Sequence, residues 1–166
     1  SCSRVLDPKP LWPGVDGWEP PAAPASRSPR RLWTTAAGGG IHTASCVVGE
    51  GLVVQTLCDP DGADGCGVVA VDALNGKPSW RHRTTASIRH AAALTDGRVY
   101  TVTMTGQVLA LSAVSGETSW SYQLGEATQR WVYSAPLAAH GRIYAGVSSH
   151  LVALDAATGA VIWKRD

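Results

Sequence analysis

The sequence carries little charge and has no long apolar run. Only 16% of its 166 residues are charged, and 14 Lys and Arg against 13 Asp and Glu give a formal net charge of +1. The basic residues are scattered and form no stripe, which argues against a nucleic-acid partner. No apolar stretch approaches the roughly 20 residues that a membrane-spanning helix needs. Because Glu and Lys are scarce while Val, Thr, Ser and Gly are plentiful, the composition favours strands and tight turns over helices.

Sequence patterns typical of catalysis are missing as well. There is no G-x-S-x-G, H-E-x-x-H, C-x-x-C or P-loop pattern, and these mark common nucleophile, metal and phosphate sites. The loop with Asp59, Asp61 and Asp64 resembles a calcium loop only in part, because Pro60 stiffens it and no carboxylate follows at the required distance. We therefore expect no catalytic residue, metal or cofactor. The five histidines suggest no ligand cluster by their spacing: His42, His82, His90, His140 and His150.

Proline is concentrated at the beginning of the chain. Because proline fixes φ and lacks a backbone donor, residues 1–31 are predicted to form an extended, semi-rigid tether. Trp12 and Trp18 within it either pack on the following domain or stay with the tether. Residues 32–166 then form the domain. Seven of the ten prolines lie in the tether: Pro8, Pro10, Pro13, Pro20, Pro21, Pro24 and Pro29.

A repeat runs through the rest of the sequence. Three tryptophans recur at spacings of 40 and 43 residues, each ending a matched eleven-residue frame. A period of this length in a strand-rich chain is typical of propeller blades. We predict an all-β fold of about three four-stranded antiparallel blades, at about 41–80, 88–120 and 131–163. The frames are Ala70-x-Asp72-x-x-Asn75-Gly76-x-x-x-Trp80, Ala110-x-Ser112-x-x-Ser115-Gly116-x-x-x-Trp120 and Ala153-x-Asp155-x-x-Thr158-Gly159-x-x-x-Trp163.

Each frame has a mechanical interpretation. The Asp or Ser can accept hydrogen bonds from the amides of the next turn, and Gly permits positive φ there. The Trp then lies on an outer strand and can cover the turn of the neighbouring blade. The alternative is that the tryptophans fill the core of a β-sandwich. The predicted blade-docking residues are Asp72, Gly76, Trp80, Gly116, Trp120, Asp155, Gly159 and Trp163.

The frame resembles the tryptophan-docking motif of the PQQ-like β-propeller repeat family, over about residues 32–166. The second blade departs from that motif at Ser112 and Ser115, which loosens its turn. The family includes quinone-dependent alcohol dehydrogenases, the propeller lipoprotein of the outer-membrane β-barrel assembly machine, and sensor domains of bacterial kinases. Closed propellers have more than three blades. We therefore expect either the N-terminal part of a longer propeller or a short chain that closes a ring by self-association.

The resemblance implies a non-catalytic extracytoplasmic scaffold, at the cell surface or in the periplasm, that binds a protein or ligand. The dehydrogenases use a catalytic aspartate, a calcium cage and an adjacent-cysteine disulfide, and this sequence matches none of these. The alternatives are a PQQ-dependent oxidoreductase propeller and the extracellular sensor domain of a receptor kinase.

The predicted binding residues lie on the segments that lead into the first strand of each blade. Aligning the blades on their first-turn glycines places Thr43 level with Arg89 and Tyr133. Arg and aromatic residues are common interface anchors, although Trp131 and Tyr133 could instead fill the core. The candidates are Arg89, His90, Arg130, Trp131 and Tyr133.

The four cysteines bear on the cellular compartment in which the protein is located. Cys58 and Cys66 flank a predicted hairpin and are expected to form a disulfide, which implies an oxidising environment. Cys2 follows a small residue at the start of the tether, which resembles the mature start of a bacterial lipoprotein. It is a candidate lipid anchor, unless it pairs with Cys46 or stays unmodified. Cys46 is otherwise expected to be buried beside Val47.

Overall fold

The computed structural model describes residues 30–59, 65–126, 134–147 and 149–165. The chain divides into two units, Ser1–Arg31 and Leu32–Asp166. In the first unit only residues 30 and 31 are described, and both are exposed. The second unit contains three four-stranded antiparallel sheets, each formed by strands that are consecutive in sequence. The described residues contain strands and turns but no helix, and consequently no helix among them could cross a membrane. The predicted all-β blade architecture is confirmed.

The three sheets repeat one plan. Blade 1 has strands β1 (Val47–Gly49), β2 (Leu52–Leu57), β3 (Gly67–Asp72) and β4 (Pro78–Arg83). Blade 2 has β5 (Ala93–Thr95), β6 (Arg98–Val102), β7 (Gln107–Ser112) and β8 (Thr118–Gln123). Blade 3 has β9 (Leu137–Ala139), β10 (Arg142–Val147), β11 (His150–Asp155) and β12 (Val161–Arg165).

The first strand of each blade is short. The second blade is predicted to begin at about residue 88, but β5 begins only at Ala93. The carbonyls of Arg89 and His90 accept hydrogen bonds from threonine hydroxyls of blade 1, so they do not pair with a strand. In blade 3, Pro136 precedes the first strand and offers no N–H to a ladder. The innermost strands are therefore short edges of their sheets.

The first hairpin of each blade closes on two residues with positive φ. The pairs are Glu50–Gly51 (53° and 76°), Asp96–Gly97 (50° and 71°) and His140–Gly141 (51° and 69°). Two positive φ values in a two-residue loop define a type I′ turn, whose twist matches that of the flanking strands. The glycine is needed at the second position, while the first tolerates a polar residue at a small cost.

The core lies between the blades. One buried cluster joins blades 1 and 2 through side chains that include Val68, Val99 and Leu111. A second joins blades 2 and 3 through Tyr100 and Ile143, among others. Sheets that face each other in this way remove both apolar faces of the middle blade from water, which a single sheet cannot do.

A tryptophan from one sheet covers the turn of the next. The Trp80 indole lies against Gly116, and its Nε1 donates to the Ala113 carbonyl at 2.7 Å. Trp120 lies against Gly159 and donates to the Ala156 carbonyl at 3.0 Å. A side chain at either glycine would collide with the ring. The contact thus fixes the position of each blade against its neighbour.

Residues 32–40, which precede blade 1 and which we call the lead-in segment, make the same contact with that blade. Trp33 lies against Gly76 and donates to the Ala73 carbonyl at 3.1 Å. It packs with Leu57 and Val69 on the face of blade 1 that points away from blade 2. The lead-in segment therefore occupies the place of an outer strand of a preceding blade.

The turn under each indole is held by the polar residue of the frame. Asp72 Oδ1 accepts from the amides of Leu74 and Asn75, at 2.9 and 3.0 Å. Asp155 Oδ1 accepts from the hydroxyl and from the amide of Thr158, both at 2.8 Å. The hydroxyl bond first, and then the amide bond, lower the pKa of the Asp155 carboxyl. In blade 2, Ser112 makes a longer bond of 3.3 Å to the following turn.

The alanine of each frame has a role that the sequence did not reveal. Ala70 and Ala110 lie opposite Trp80 and Trp120 across their strand pairs. Both alanines are fully buried, and a β-bulge follows each of them. Opposing residues share one face of a sheet, so the small methyl group leaves room for the indole.

Candidate functional site

The candidate site lies at one end of the three sheets. We call this the upper end: it carries the described parts of the loops between the second and third strands of each blade and of the segments that connect one blade to the next. The lower end carries the β1–β2 and β3–β4 turns. The short strands β1, β5 and β9 are neighbours in space, so the segments that lead into β1 and β5 meet at the upper end. This places residues 42–46 beside residues 88–92.

Two threonines of blade 1 hold the segment that leads into blade 2. Thr43 Oγ1 donates to the Arg89 carbonyl at 3.2 Å, and Thr56 Oγ1 donates to the His90 carbonyl at 2.7 Å. Thr56 is only 1% exposed, so its hydroxyl bond is shielded from competing water. The backbone at 89–90 is therefore fixed to a rigid sheet, and both side chains start from a defined position.

His42 joins this arrangement through Thr43. The Nδ1 of His42 lies 3.1 Å from Thr43 Oγ1. Because the threonine hydroxyl has one proton and donates it to the Arg89 carbonyl, Nδ1 of His42 must be the donor when both bonds form. His42, Arg89 and His90 thus come together, and we call them the upper cluster.

The upper cluster contains one permanent positive charge, that of Arg89, beside two imidazoles. Burial lowers the pKa of His90 first, and the neighbouring positive charges of His42 and then Arg89 lower it further. Each positive neighbour disfavours adding another proton to the imidazole. An anion beside His90 would instead raise the pKa of its imidazole, because negative charge stabilises the protonated form.

The structure brings together only some of the predicted binding residues. Arg89 and His90 are adjacent and half-buried at the upper end. Arg130, Trp131 and Tyr133 lie outside the described residues, as does the proposed lipid anchor Cys2. His42 and Thr56 were not predicted to belong to this site. The alignment of the blades on Gly51 and Gly97 placed Thr43 level with Arg89. Because His42 directly precedes Thr43, this alignment was the feature of the sequence that could have indicated His42.

The cysteines differ from expectation in two ways. Cys46 is exposed, so its predicted burial is wrong; it precedes β1, an edge strand. The predicted disulfide between Cys58 and Cys66 is not formed in the structure. Both residues are buried, and Cys66 Sγ lies 3.4 Å from the Ser87 hydroxyl.

The backbone register nevertheless places the two cysteines opposite each other. Leu57 and Gly67 form the last pair of β2 and β3, and Cys58 and Cys66 are the next positions outward. Opposing residues in antiparallel strands have Cα atoms about 4.5–5.5 Å apart, which lies within the span of a disulfide. The disulfide stays a prediction for oxidising conditions.

The described part of the chain offers no centre for metal chemistry. No group of three or more His, Cys, Asp or Glu side chains among these residues could hold a metal ion. What the upper end does offer is a connecting segment with Arg89 and His90 whose backbone is held against blade 1 by Thr43 and Thr56.

The three blades, each fastened to the next by an indole on a glycine turn, define the class: this is a part of a β-propeller built from PQQ-like repeats. A family model described as outer membrane protein assembly factor BamB matches residues 22–166. The chain belongs to that family.

Relatives of two kinds resemble the chain. It is 30% identical to the quinohemoprotein alcohol dehydrogenase ADH IIB of Pseudomonas putida, over 58% of this chain and 17% of the dehydrogenase. The crystal structure of BamB from Moraxella catarrhalis superposes with a TM-score of 0.67 at 24% identity, covering 81% of this chain and 39% of BamB. A europium-containing methanol dehydrogenase gives 0.68 at 20% identity, covering 81% and 26%. The structural matches show the fold alone, and the chain spans well under half of each relative.

Proposed function

We propose that this chain is the binding part of an extracytoplasmic scaffold without catalytic activity, and that it captures a partner protein at the upper end of its blades. The observation that carries the proposal is the fixed backbone at Arg89 and His90, held by Thr43 and Thr56 of the adjacent blade. Arginine on a backbone that is held in place is a common interface anchor. The match to an assembly-factor family supports a scaffold located outside the cytoplasm.

Site-specific photo-crosslinking in the native host tests this proposal. A photoreactive residue at Ser45, which is exposed at the upper end, should give a defined adduct with a partner protein. The matched control is Leu74, which is 86% exposed in a lower turn and should give none. Equal adducts from both positions, or none from Ser45, would contradict the proposal.

A quinone-dependent oxidoreductase is the second candidate, favoured by the 30% identity to the Pseudomonas putida dehydrogenase. Titration of the full-length protein with pyrroloquinoline quinone and calcium distinguishes the two candidates. The scaffold proposal predicts no saturable change in the quinone spectrum, whereas an enzyme should show one.

The N-terminal tether with Cys2 belongs to the same proposal. A lipid on Cys2 would hold the scaffold at a membrane surface while the tether lets the blades stand away from it. Mass spectrometry of the native N-terminus should show acylation of Cys2. An unmodified cysteine there would remove the anchor and leave a secreted or periplasmic scaffold.

A further inference from the structure

The first hairpin turns of blades 1 and 2 are joined by a side chain at the lower end. Glu50, the first turn residue of blade 1, extends its carboxylate to blade 2, where Oε1 accepts from the Gly97 amide at 2.9 Å. Beside this bond, Leu94 packs so closely on Gly49 that a Cβ there would lie 3.1 Å from Leu94 Cδ2. A carboxylate from one turn thus pairs with the glycine amide of the next, and a leucine fills the space beside it.

The corresponding turns of blades 2 and 3 lack this hydrogen bond. Asp96 holds the position of Glu50 but is one methylene shorter, and Gly141 holds the position of Gly97. Among the described residues, the Asp96 carboxylate and the Gly141 N–H make no hydrogen bond. The two glycines have nearly equal φ, 71° and 69°, within turns of the same type. The Gly141 N–H therefore has the same direction as that of Gly97, toward the preceding blade, and only the acceptor is missing.

A pocket occupies the space beside this N–H. It has a volume of about 160 Å³, and its lining includes Asp96, Gly141 and Arg142, all of which are exposed to solvent. Ala138 also lines it and holds the position that Leu94 has in blade 2, so its small methyl group leaves room there. Drug-sized ligands occupy cavities of about 300 Å³ or more. This pocket therefore suits a ligand of only a few heavy atoms.

The polar groups of the pocket have opposite charges on opposite blades. Blade 3 supplies the donors, which are the Gly141 N–H and the Arg142 guanidinium, and blade 2 supplies the Asp96 carboxylate. Asp155 is opposite Arg142 across the strand pair, but its carboxylate accepts from its own turn. In the part of the chain that the structure describes, Arg142 forms no ion pair. A ligand with one negative and one positive group would find a partner for each.

We propose that this pocket binds a small zwitterionic α-amino acid, of the size of glycine or alanine. The carboxylate of the ligand accepts from the Gly141 N–H and from Arg142, and so replaces the side-chain carboxylate that Glu50 supplies one blade earlier. Its ammonium group donates to Asp96. The pocket lies at the lower end, so this inference does not depend on partner capture at the upper end.

NMR spectroscopy of the full-length protein tests the inference at the amide concerned. His140–Gly141 is the one His-Gly pair in this sequence. Isotope labels on histidine carbonyls and glycine nitrogens therefore report on Gly141, and His140→Asn assigns the signal by removing it. Titration with L-alanine should shift this signal, with an affinity in the millimolar range. Acetate and ethylamine each carry one of the two charges, and both should bind at least about tenfold more weakly.

Asp96→Glu is the most informative variant, because it adds the methylene that Glu50 has. Its carboxylate should accept from the Gly141 amide, shift that signal without ligand and weaken L-alanine binding at least about tenfold. Asp96→Asn should remove the preference for L-alanine over acetate, and Arg142→Gln should weaken the binding of both. The matched control is Lys77→Gln, which removes an exposed positive charge from another lower turn and should change nothing.

Three results would overturn the inference. The first is an unshifted Gly141 signal at about 50 mM L-alanine. The second is equal affinity for L-alanine and acetate in the unaltered protein. The third is undiminished L-alanine binding by Asp96→Glu. The spectrum of each variant also shows whether it is folded, and the crosslinking result at Ser45 has no bearing on any of these outcomes.

Discussion

Two glycine-to-alanine substitutions measure the contribution of an indole to blade docking. Gly116 and Gly97 have nearly equal φ, +73° and +71°. A Cβ at Gly116 would lie 2.5 Å from Cε3 of Trp80, whereas a Cβ at Gly97 meets nothing within 4 Å. Alanine therefore imposes the same backbone strain at both positions, and only at Gly116 does it also displace a ring.

The magnitudes follow from these contacts. Left-handed backbone costs a residue with a side chain about 1–2 kcal/mol, which is the whole expected loss for Gly97→Ala. In Gly116→Ala the Trp80 indole must also leave its turn. That change removes a 2.7 Å hydrogen bond, worth about 1 kcal/mol, and ring burial worth about 2 kcal/mol. We expect Gly116→Ala to lower the free energy of unfolding by about 4 kcal/mol or more.

Urea denaturation of the single variants and of a double variant provides the assay. Once Trp80→Ala has removed the indole, Gly116→Ala should cost only the backbone strain of about 1–2 kcal/mol. The coupling between the two sites should therefore be about 3 kcal/mol. Equal losses for Gly97→Ala and Gly116→Ala, or a coupling near zero, would refute the docking argument.

Three further predictions concern separate parts of the chain. No glycine turn of the described residues lies under Trp163, so Trp163→Ala should destabilise this chain by about 2 kcal/mol less than Trp120→Ala; equal urea midpoints would contradict this. The pKa of His90 is lowered in the folded state, so the unfolded state binds more protons and stability falls as pH drops through about 6.5. His90→Gln should flatten that slope in urea titrations at several pH values. Under oxidising conditions, peptide mapping should recover Cys58 linked to Cys66, and two alkylated thiols would exclude the bond.

The periodic part of the fold could be predicted from the sequence. The frame places a turn, a glycine and a tryptophan at fixed offsets, and these offsets are set by local hydrogen bonds such as those of Asp72. Interactions confined to a few residues leave a pattern that can be recognised in the sequence. The docking partner of Trp80 also follows from the repeat, because the same turn recurs one blade later.

The candidate site could be predicted only in part, because it depends on contacts between distant segments. His42 and His90 are separated in sequence by a whole blade, and only the packing of β1 beside β5 brings them together. Contacts between distant segments also explain why β5, the first strand of blade 2, is short. Thr43 and Thr56 donate to the carbonyls just before it, which a longer strand would have paired with a neighbouring strand. Exposure of Cys46 depends on which strand forms the sheet edge, and its apolar neighbours do not reveal that.

The contact between an indole and the following turn has a consequence for how such chains grow. Each sheet carries the indole that docks on the next sheet. The repeating module therefore extends from just after one tryptophan to the next, which is 40 residues from Trp80 to Trp120. Each such module contains one glycine turn and one indole, so duplicating it in register gives every new indole a turn to cover. A deletion that removed a glycine turn but kept the preceding tryptophan would leave that indole without its docking partner.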